Sequence, residues 1–307
     1  IHTLLQRRKN TDKIKRPNAL PGKESSLIMS VNYSVQEIGF TSQNYQPFLW
    51  KRMSLREYYC RGEMMKCPRC GNAQKSYFYK GSHGYYCRKC IGFGRLLLEE
   101  EEMAVKLEDI HADCSEYTMQ YPLTKFQEVV SKECQMHIRT QDVLLECVCG
   151  AGKTEMVLAS IADALNENRK VCFAIARRQV VLELSERLQT YFTKAKIIAV
   201  CGGHTDELDG DLIVCTTHQL YRYQGQFSLL ILDEPDAFPY RGDEVLHGIA
   251  QHACIGHVIY LTATPDSYLL SKVKEGTMRH IVLNKRPHGH DLPVPRLFIY
   301  PSIILFY

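Results

Sequence analysis

A chain of 307 residues has room for one large or two modest domains with real cores, and its 45% hydrophobic and 23% charged residues are those of a soluble globular protein. No run approaches 18 uncharged apolar residues, so no membrane-spanning helix is expected, and the polar, basic opening residues offer no apolar core for a secretory signal. The net charge of +4 permits a nucleic-acid partner without arguing for one, while 13 cysteines, an odd number, fit a reducing cytosol with thiols free or metal-bound.

The chain begins with Ile1 rather than Met, which leaves its natural start open. Residues 1–59 are expected to form a basic tail and a small segment. The run from Arg7 to Lys23 reads first as a solvated tail and second as a weak phosphate-backbone contact. From Ser30 to Tyr59 the aromatics show no clear period.

Residues 60–94 hold the first chemical signal, Cys67-Pro-Arg-Cys70 and, after sixteen residues, Cys87-Arg-Lys-Cys90. A two-residue spacer folds into a knuckle that turns both thiolates toward one point, and two knuckles complete a tetrahedron around Zn²⁺. Sulfur fills all four positions, so the zinc is expected to be structural rather than catalytic. A pair of redox motifs is the competing reading, but it lacks a βαβ setting. Cys60 falls outside the spacing and reads as a spare thiol. Between the knuckles, aromatics such as Tyr77, Tyr79 and Tyr86 interleave with Lys75, Lys80, Arg88 and Lys89. They either cover the metal or stack bases and touch phosphates, as single-strand binders do. Residues 95–120, with the acidic run Glu99–Glu102, are expected to connect this module to a larger α/β region.

From 121 to 286 strands and helices alternate. Apolar, β-branched runs recur at 143–148, 171–176, 197–200, 212–215, 229–232 and 258–261, with helical patterns at 125–137, 155–165 and 180–192. That alternation predicts an α/β fold: a mostly parallel sheet with helices on both faces. Within it, Cys147-Val-Cys-Gly150-Ala151-Gly152-Lys153-Thr154-Glu155 lies between a strand and a helix, the setting a phosphate-binding loop requires. Gly150 and Gly152 let backbone N–H groups turn toward phosphate oxygens, Lys153 reaches the β/γ-phosphates and the Thr154 hydroxyl sits on Mg²⁺. One position departs from the pattern, since Cys147 stands where its first glycine belongs. A nucleoside triphosphate is the expected ligand. About eighty residues later an apolar strand ends in Asp233-Glu234-Pro-Asp236; Asp233 is expected to hold Mg²⁺ and Glu234 to act as base toward water.

Three further pieces are similar to motifs of helicase superfamily 2. Gln127 in Pro122-Leu-Thr124-Lys-Phe-Gln127 stands where that class places a glutamine reading adenine, although Thr124 and Gln127 also have capping-box spacing. Leu261-Thr262-Ala-Thr264-Pro265 looks like the Ser/Thr-Ala-Thr motif that couples hydrolysis to strand movement. Arg177 and Arg178, and Thr216 and Thr217, fall where its strand-contacting motifs lie.

Taken together, the residues resemble the ComFA family of late competence ATPases. The resemblance rests on the four cysteines ahead of the motor, on Cys149-Gly-Ala-Gly-Lys-Thr-Glu155, on Asp233-Glu-Pro-Asp-Ala-Phe-Pro-Tyr240, on Leu261-Thr-Ala-Thr-Pro265 and on His288-Gly-His-Asp-Leu-Pro-Val-Pro295. It implies a RecA-like lobe and a cytoplasmic, DNA-stimulated ATPase at the inner face of the membrane. It implies ATP, Mg²⁺ and Zn²⁺ as cofactors, and a role in pulling single-stranded DNA through the inner-membrane channel. Its implied partners are copies of itself and other competence proteins. Residues 287–307 read as a linker to a second lobe that the chain does not contain, so weak ATP binding and poor hydrolysis are expected of it alone. A replication-restart-type helicase is disfavoured because its zinc module lies within or after the motor. A non-hydrolysing zinc-ribbon adaptor is the alternative from another class.

Overall fold

The structure, a computed structural model, describes residues 66–98, 105–110 and 113–287. The basic tail, Cys60, the Glu99–Glu102 run and the His288–Pro295 segment lie outside the described residues.

Two layers of apolar side chains organise the larger part, one on each face of a seven-stranded parallel sheet. Its strands are β3 (Asp142–Cys147), β4 (Val171–Ile175), β5 (Ile197–Val200), β6 (Leu212–Thr216), β7 (Phe227–Asp233), β8 (Cys254–Thr262) and β9 (Met278–Leu283). Their order across the sheet is β5-β6-β4-β7-β8-β3-β9. Central strands such as Val171-Cys-Phe-Ala-Ile175 are buried along their whole length, as a sheet covered on both faces demands. Successive side chains point to opposite faces. Phe173 and Ile175 accordingly join one core with Val143, Leu145, Ile231 and Leu261, while Cys172 and Ala174 join the other with Leu144, Leu230 and Tyr260.

Helices α1 (Lys125–His137), α2 (Lys153–Asn166) and α3 (Arg178–Tyr191) cover the first face with buried residues such as Val130, Met156, Ile161, Leu184 and Leu188. Helices α4 (Glu244–Ala253) and α5 (Ser267–Lys274) lie on the second, through Leu246, Ile249, Ala253 and Leu269. The N-termini of the latter pair are capped by carboxylates. Asp243 accepts from the Val245 and Leu246 amides, at 2.8 and 3.1 Å, and Asp266 accepts from that of Leu269, at 2.9 Å. Strand β9, not expected from sequence, makes the seventh strand at the sheet edge, beside β3.

The cysteine module shares the second face. Its hairpin, β1 (Phe78–Gly81) and β2 (Gly84–Cys87), is antiparallel, and all four cysteines belong to the core that α4 covers. At Gly248 in α4 the knuckle and the helix meet backbone to backbone: an added Cβ would stand 2.1 Å from the Cys70 carbonyl oxygen. Lys89 pairs with Glu244 at 2.5 Å. Phe93 packs at 5.6 Å (ring centroids) on Tyr221, in the 3-10 turn Thr217–Arg222 after β6. The module therefore sits directly on the lobe.

Candidate nucleotide site and zinc centre

Strand β3 delivers the phosphate loop. Cys147, the departure from the motif, is still paired within the sheet opposite Leu283, and its buried side chain faces the core. A side chain there does not crowd the loop, and burial pushes its thiol up to about 12. The turn itself needs its glycines. Gly150 and Gly152 have φ of +77° and +78°, and a Cβ on Gly152 would meet the Gln127 amide nitrogen at 2.5 Å. Lys153 and Thr154 then open α2, with the loop amides and the helix N-terminus at one place.

Gln127 reaches this loop from the first turn of α1. Its Nε2 donates to the Ala151 carbonyl at 2.8 Å, and its Oε1 accepts from both the backbone N–H and the hydroxyl of Thr124, each at 2.9 Å. The network assigns the amide, since Ala151 offers only an acceptor and the Thr124 amide only a donor. The capping arrangement takes up the carbonyl, leaving one N–H for a ligand.

Two strands away, β7 brings Asp233 and Glu234 to the same sheet edge. With β8 between β3 and β7, phosphate loop and carboxylates are about 10 Å apart across the sheet, room for phosphates and a cation. Burial raises the Asp233 carboxyl to about 6, with Lys153 and Arg187 opposing and Glu234 reinforcing the rise. Glu234 has φ +52°, a rare conformation for a residue with a side chain, and its amide donates to Leu261 at 2.8 Å. Asp236 is the residue that sequence reasoning left without a role. It accepts from the Thr262 hydroxyl at 2.5 Å and from the Thr264 hydroxyl, while the Thr264 amide donates to Thr262 Oγ1 at 2.9 Å. The acidic box and the Thr-Ala-Thr motif are thus one hydrogen-bonded cluster.

The expected strand-contact residues divide. Arg177 and Arg178 are exposed after β4, and Arg178 Nε donates to the Gly202 carbonyl at 2.7 Å, which brings the unexpected Gly202-Gly203 turn after β5 beside them. The side chains of Thr216 and Thr217 instead face inward, at 8% and 3% exposure, and His218 is the exposed position of that turn. Two other arginines were missed altogether. Arg286, after β9, donates to the Cys149 carbonyl at 2.9 Å, and Arg187, on α3, donates to the Thr154 hydroxyl at 3.0 Å. No local pattern marks either, because both arrive through long-range packing.

The four expected zinc ligands come together. The Cys67, Cys70, Cys87 and Cys90 sulfurs are buried within 4.8 Å of one another, with Cys67–Cys90 at 3.7 Å and Cys70–Cys87 at 3.9 Å. Zn–S bonds of about 2.3 Å in a tetrahedron place sulfurs about 3.8 Å apart, so the donor set fits that ion and leaves no open position. Around it, Asn72 donates to the Cys87 sulfur at 3.8 Å, and Arg69 donates to the Phe93 and Gly94 carbonyls at 3.2 and 2.8 Å.

Comparison with known proteins gives the same grouping. Residues 120–267 match the family described as the res subunit of type III restriction enzymes. The chain is 36% identical over 240 residues to competence protein ComFA of Bacillus subtilis (strain 168), covering 75% of this chain and 52% of that protein. It is 35% identical over 235 residues to ComFA of Streptococcus pneumoniae (strain ATCC BAA-255 / R6), covering 75% and 54%. The chain thus spans about half the length of these curated relatives. Among solved structures it is similar to a hypothetical ATP-dependent RNA helicase from Sulfolobus tokodaii, with a TM-score of 0.42, 20% identity and 53% of each chain covered. It is also similar to the Sulfolobus solfataricus SWI2/SNF2 ATPase core, with a TM-score of 0.40, 18% identity, and 48% of this chain and 33% of that one covered.

Proposed function

The chain belongs to the ComFA family over the region it shares with those relatives, and from that premise we propose that it carries the nucleotide-binding lobe of a single-stranded-DNA-stimulated ATPase that drives DNA import during natural transformation. The observation that carries this reading is the Asp236 cluster. Its carboxylate ties the acidic box to a second motif at the end of the neighbouring strand, and a motor needs such a link between hydrolysis and movement.

In this reading the loop amides and Lys153 bind the phosphates, Thr154 and Asp233 hold Mg²⁺, and Gln127 gives its free N–H to the base. Mg²⁺ supplies neutralisation of charge on the phosphates. Glu234, exposed beside Asp233, orients water and takes its proton. The strand crosses the loops after β4, β5 and β6, past Arg177, Arg178, Gly202 and His218, and continues onto the zinc module. Residues 66–98 hold seven lysines and arginines and no acidic residue, a basic surface inside a chain whose net charge is +4. Exposed Tyr79 and half-buried Tyr86 carry Arg88 and Arg95 over their rings at 5.9 and 4.8 Å, the interleaving of aromatic and cation that base stacking uses. Zinc organises this surface and takes no part in the chemistry. Copies of the chain, other competence proteins and the membrane channel are the proposed partners, and the cytoplasmic face of the membrane is the proposed location. Among the described residues, no helix is long and apolar enough to cross a membrane.

The test compares single-turnover ATP hydrolysis by the wild-type chain and Glu234→Gln, each with and without single-stranded DNA. Removing a general base lowers the rate by about 10²–10⁴-fold, and DNA is expected to raise only the wild-type rate. The readout is a ratio, so it stands at whatever absolute rate the chain reaches. Indistinguishable proteins would establish instead a zinc-ribbon adaptor that binds without turnover.

A further inference from the structure

Arg187 is the least expected member of the site. It lies in the third turn of α3, where sequence patterning shows only an exposed helical position, yet its Nη2 donates to the Thr154 hydroxyl at 3.0 Å. The helix that carries it is held in place, because one turn further on the Tyr191 hydroxyl bonds Glu155 Oε1 at 3.2 Å. Two rungs therefore fix α3 across the first turn of α2, and the guanidinium stands over the end of the phosphate loop.

Positive charge accumulates at that position, offset only at a distance by the Asp233 carboxylate. The N-terminus of α2 carries the positive end of a helix dipole, which opposes a positive side chain. Lys153 already brings a full charge to the same turn. No carboxylate lies within ion-pair distance of Arg187 among the described residues, unlike Arg139, Lys170 or Lys196, each of which has one. A planar fork of five donors, spending one on a neutral hydroxyl beside another cation and a helix N-terminus, is arranged for a polyanion.

Resting on the nucleoside-triphosphate reading of the loop, we propose that Arg187 is a phosphate-binding residue supplied by this lobe itself: its guanidinium bonds the terminal phosphate of the nucleotide and lets the site distinguish a triphosphate from a diphosphate. The loop amides and Lys153 serve every phosphate chain. Arg187 reaches the loop from another helix on the side of Thr154, so its contribution falls on the last phosphate.

The experiment measures affinity of the full chain for ATPγS and for ADP by calorimetry with Mg²⁺ present, in wild type, Arg187→Ala, Arg187→Lys and Lys153→Ala, each checked by its melting curve. Losing a charge-assisted bond to an anion weakens binding by roughly tenfold to a hundredfold. Arg187→Ala is expected to weaken ATPγS by that factor and ADP by less than threefold. Arg187→Lys should recover part of the loss as a point charge. A merely structural arginine would lower both affinities together, so equal losses, or none, overturn the proposal. If Lys153→Ala binds both nucleotides as wild type does, the nucleotide reading itself falls. If Lys153→Ala loses binding and Arg187→Ala keeps the wild-type ratio, only the role given to Arg187 falls.

Discussion

Replacing Gly248 by alanine sets two effects of opposite sign against each other. Within a helix the change normally stabilises by about 1 kcal/mol, since alanine has the lower backbone entropy to lose. Here the new methyl would stand 2.1 Å from the Cys70 carbonyl oxygen and 2.8 Å from its carbon. An ordinary carbon–oxygen contact needs about 3.3 Å, so α4 and the knuckle must part by about 1 Å. The atom met is backbone in the turn that carries Cys67 and Cys70, so no rotamer relieves it. Overpacking of this kind costs about 1–3 kcal/mol, and separation also weakens the Lys89–Glu244 pair and the Phe93–Tyr221 contact. With the two weakened contacts added to that cost, the clash outweighs the helix gain of about 1 kcal/mol, and the net loss is about 1–2 kcal/mol. For a unit of this size that lowers the melting temperature by roughly 2–8 °C. Scanning calorimetry of the zinc-loaded chain measures it, and release of zinc to a chelator should quicken in step. Gly92→Ala is the control, because nothing lies within 4 Å of its Cβ position. A Gly248→Ala protein that melts at or above wild type, with unchanged zinc release, refutes the packing argument.

Two more outcomes are expected. Cys67→Ser should reduce bound zinc from about one equivalent to nearly none by elemental analysis, and retained zinc would rule out the four-thiolate centre. His247, between the rings of Tyr240 and Tyr268 at 4.3 and 5.0 Å, is held below the ordinary histidine range by burial, with Asp266 and Asp243 opposing. The unfolded chain therefore takes up this proton first as pH falls. The stability tied to the neutral ring is complete above about pH 6.5 and declines below it. His247→Phe should flatten that part of the stability profile, and a wild-type-minus-variant difference that does not change between pH 8 and 5 would contradict it.

How much of this was legible in the sequence depends on how local each cause is. The phosphate loop, the acidic box and the paired cysteines are contiguous, and backbone geometry forces their spacing. Six of the seven strands showed as apolar runs, the inner five because a doubly covered strand has no polar face and the edge strand β5 because Ile197-Ile-Ala-Val200 is apolar throughout. The edge strand β9 carries Arg279, His280 and Val282 toward exposed or half-buried positions, so Met278–Leu283 lacks that signal. Gln127 was readable as a cap or as a base reader, and only the fold shows its carbonyl committed to Thr124 and its amide to Ala151. Thr216 and Thr217 look like surface contacts in one dimension, yet the end of fully buried β6 and the first position of the 3-10 turn after it carry them inward. Asp236, Arg187 and Arg286 act through partners 26 to 137 residues away, which no window of local sequence contains.

The contact at Gly248 also bears on mechanics. Where side chains mediate an interface, rotamer changes let one body creep over the other. Cys70 and Gly248 meet with no such cushion, and Lys89 and Phe93 fasten the module further along α4 and the neighbouring 3-10 turn. The cysteine hairpin is therefore an outrigger bolted to the lobe rather than an arm on a tether. The surface that carries Tyr79 and Tyr86 therefore moves with the phosphate loop, with no compliant joint between them.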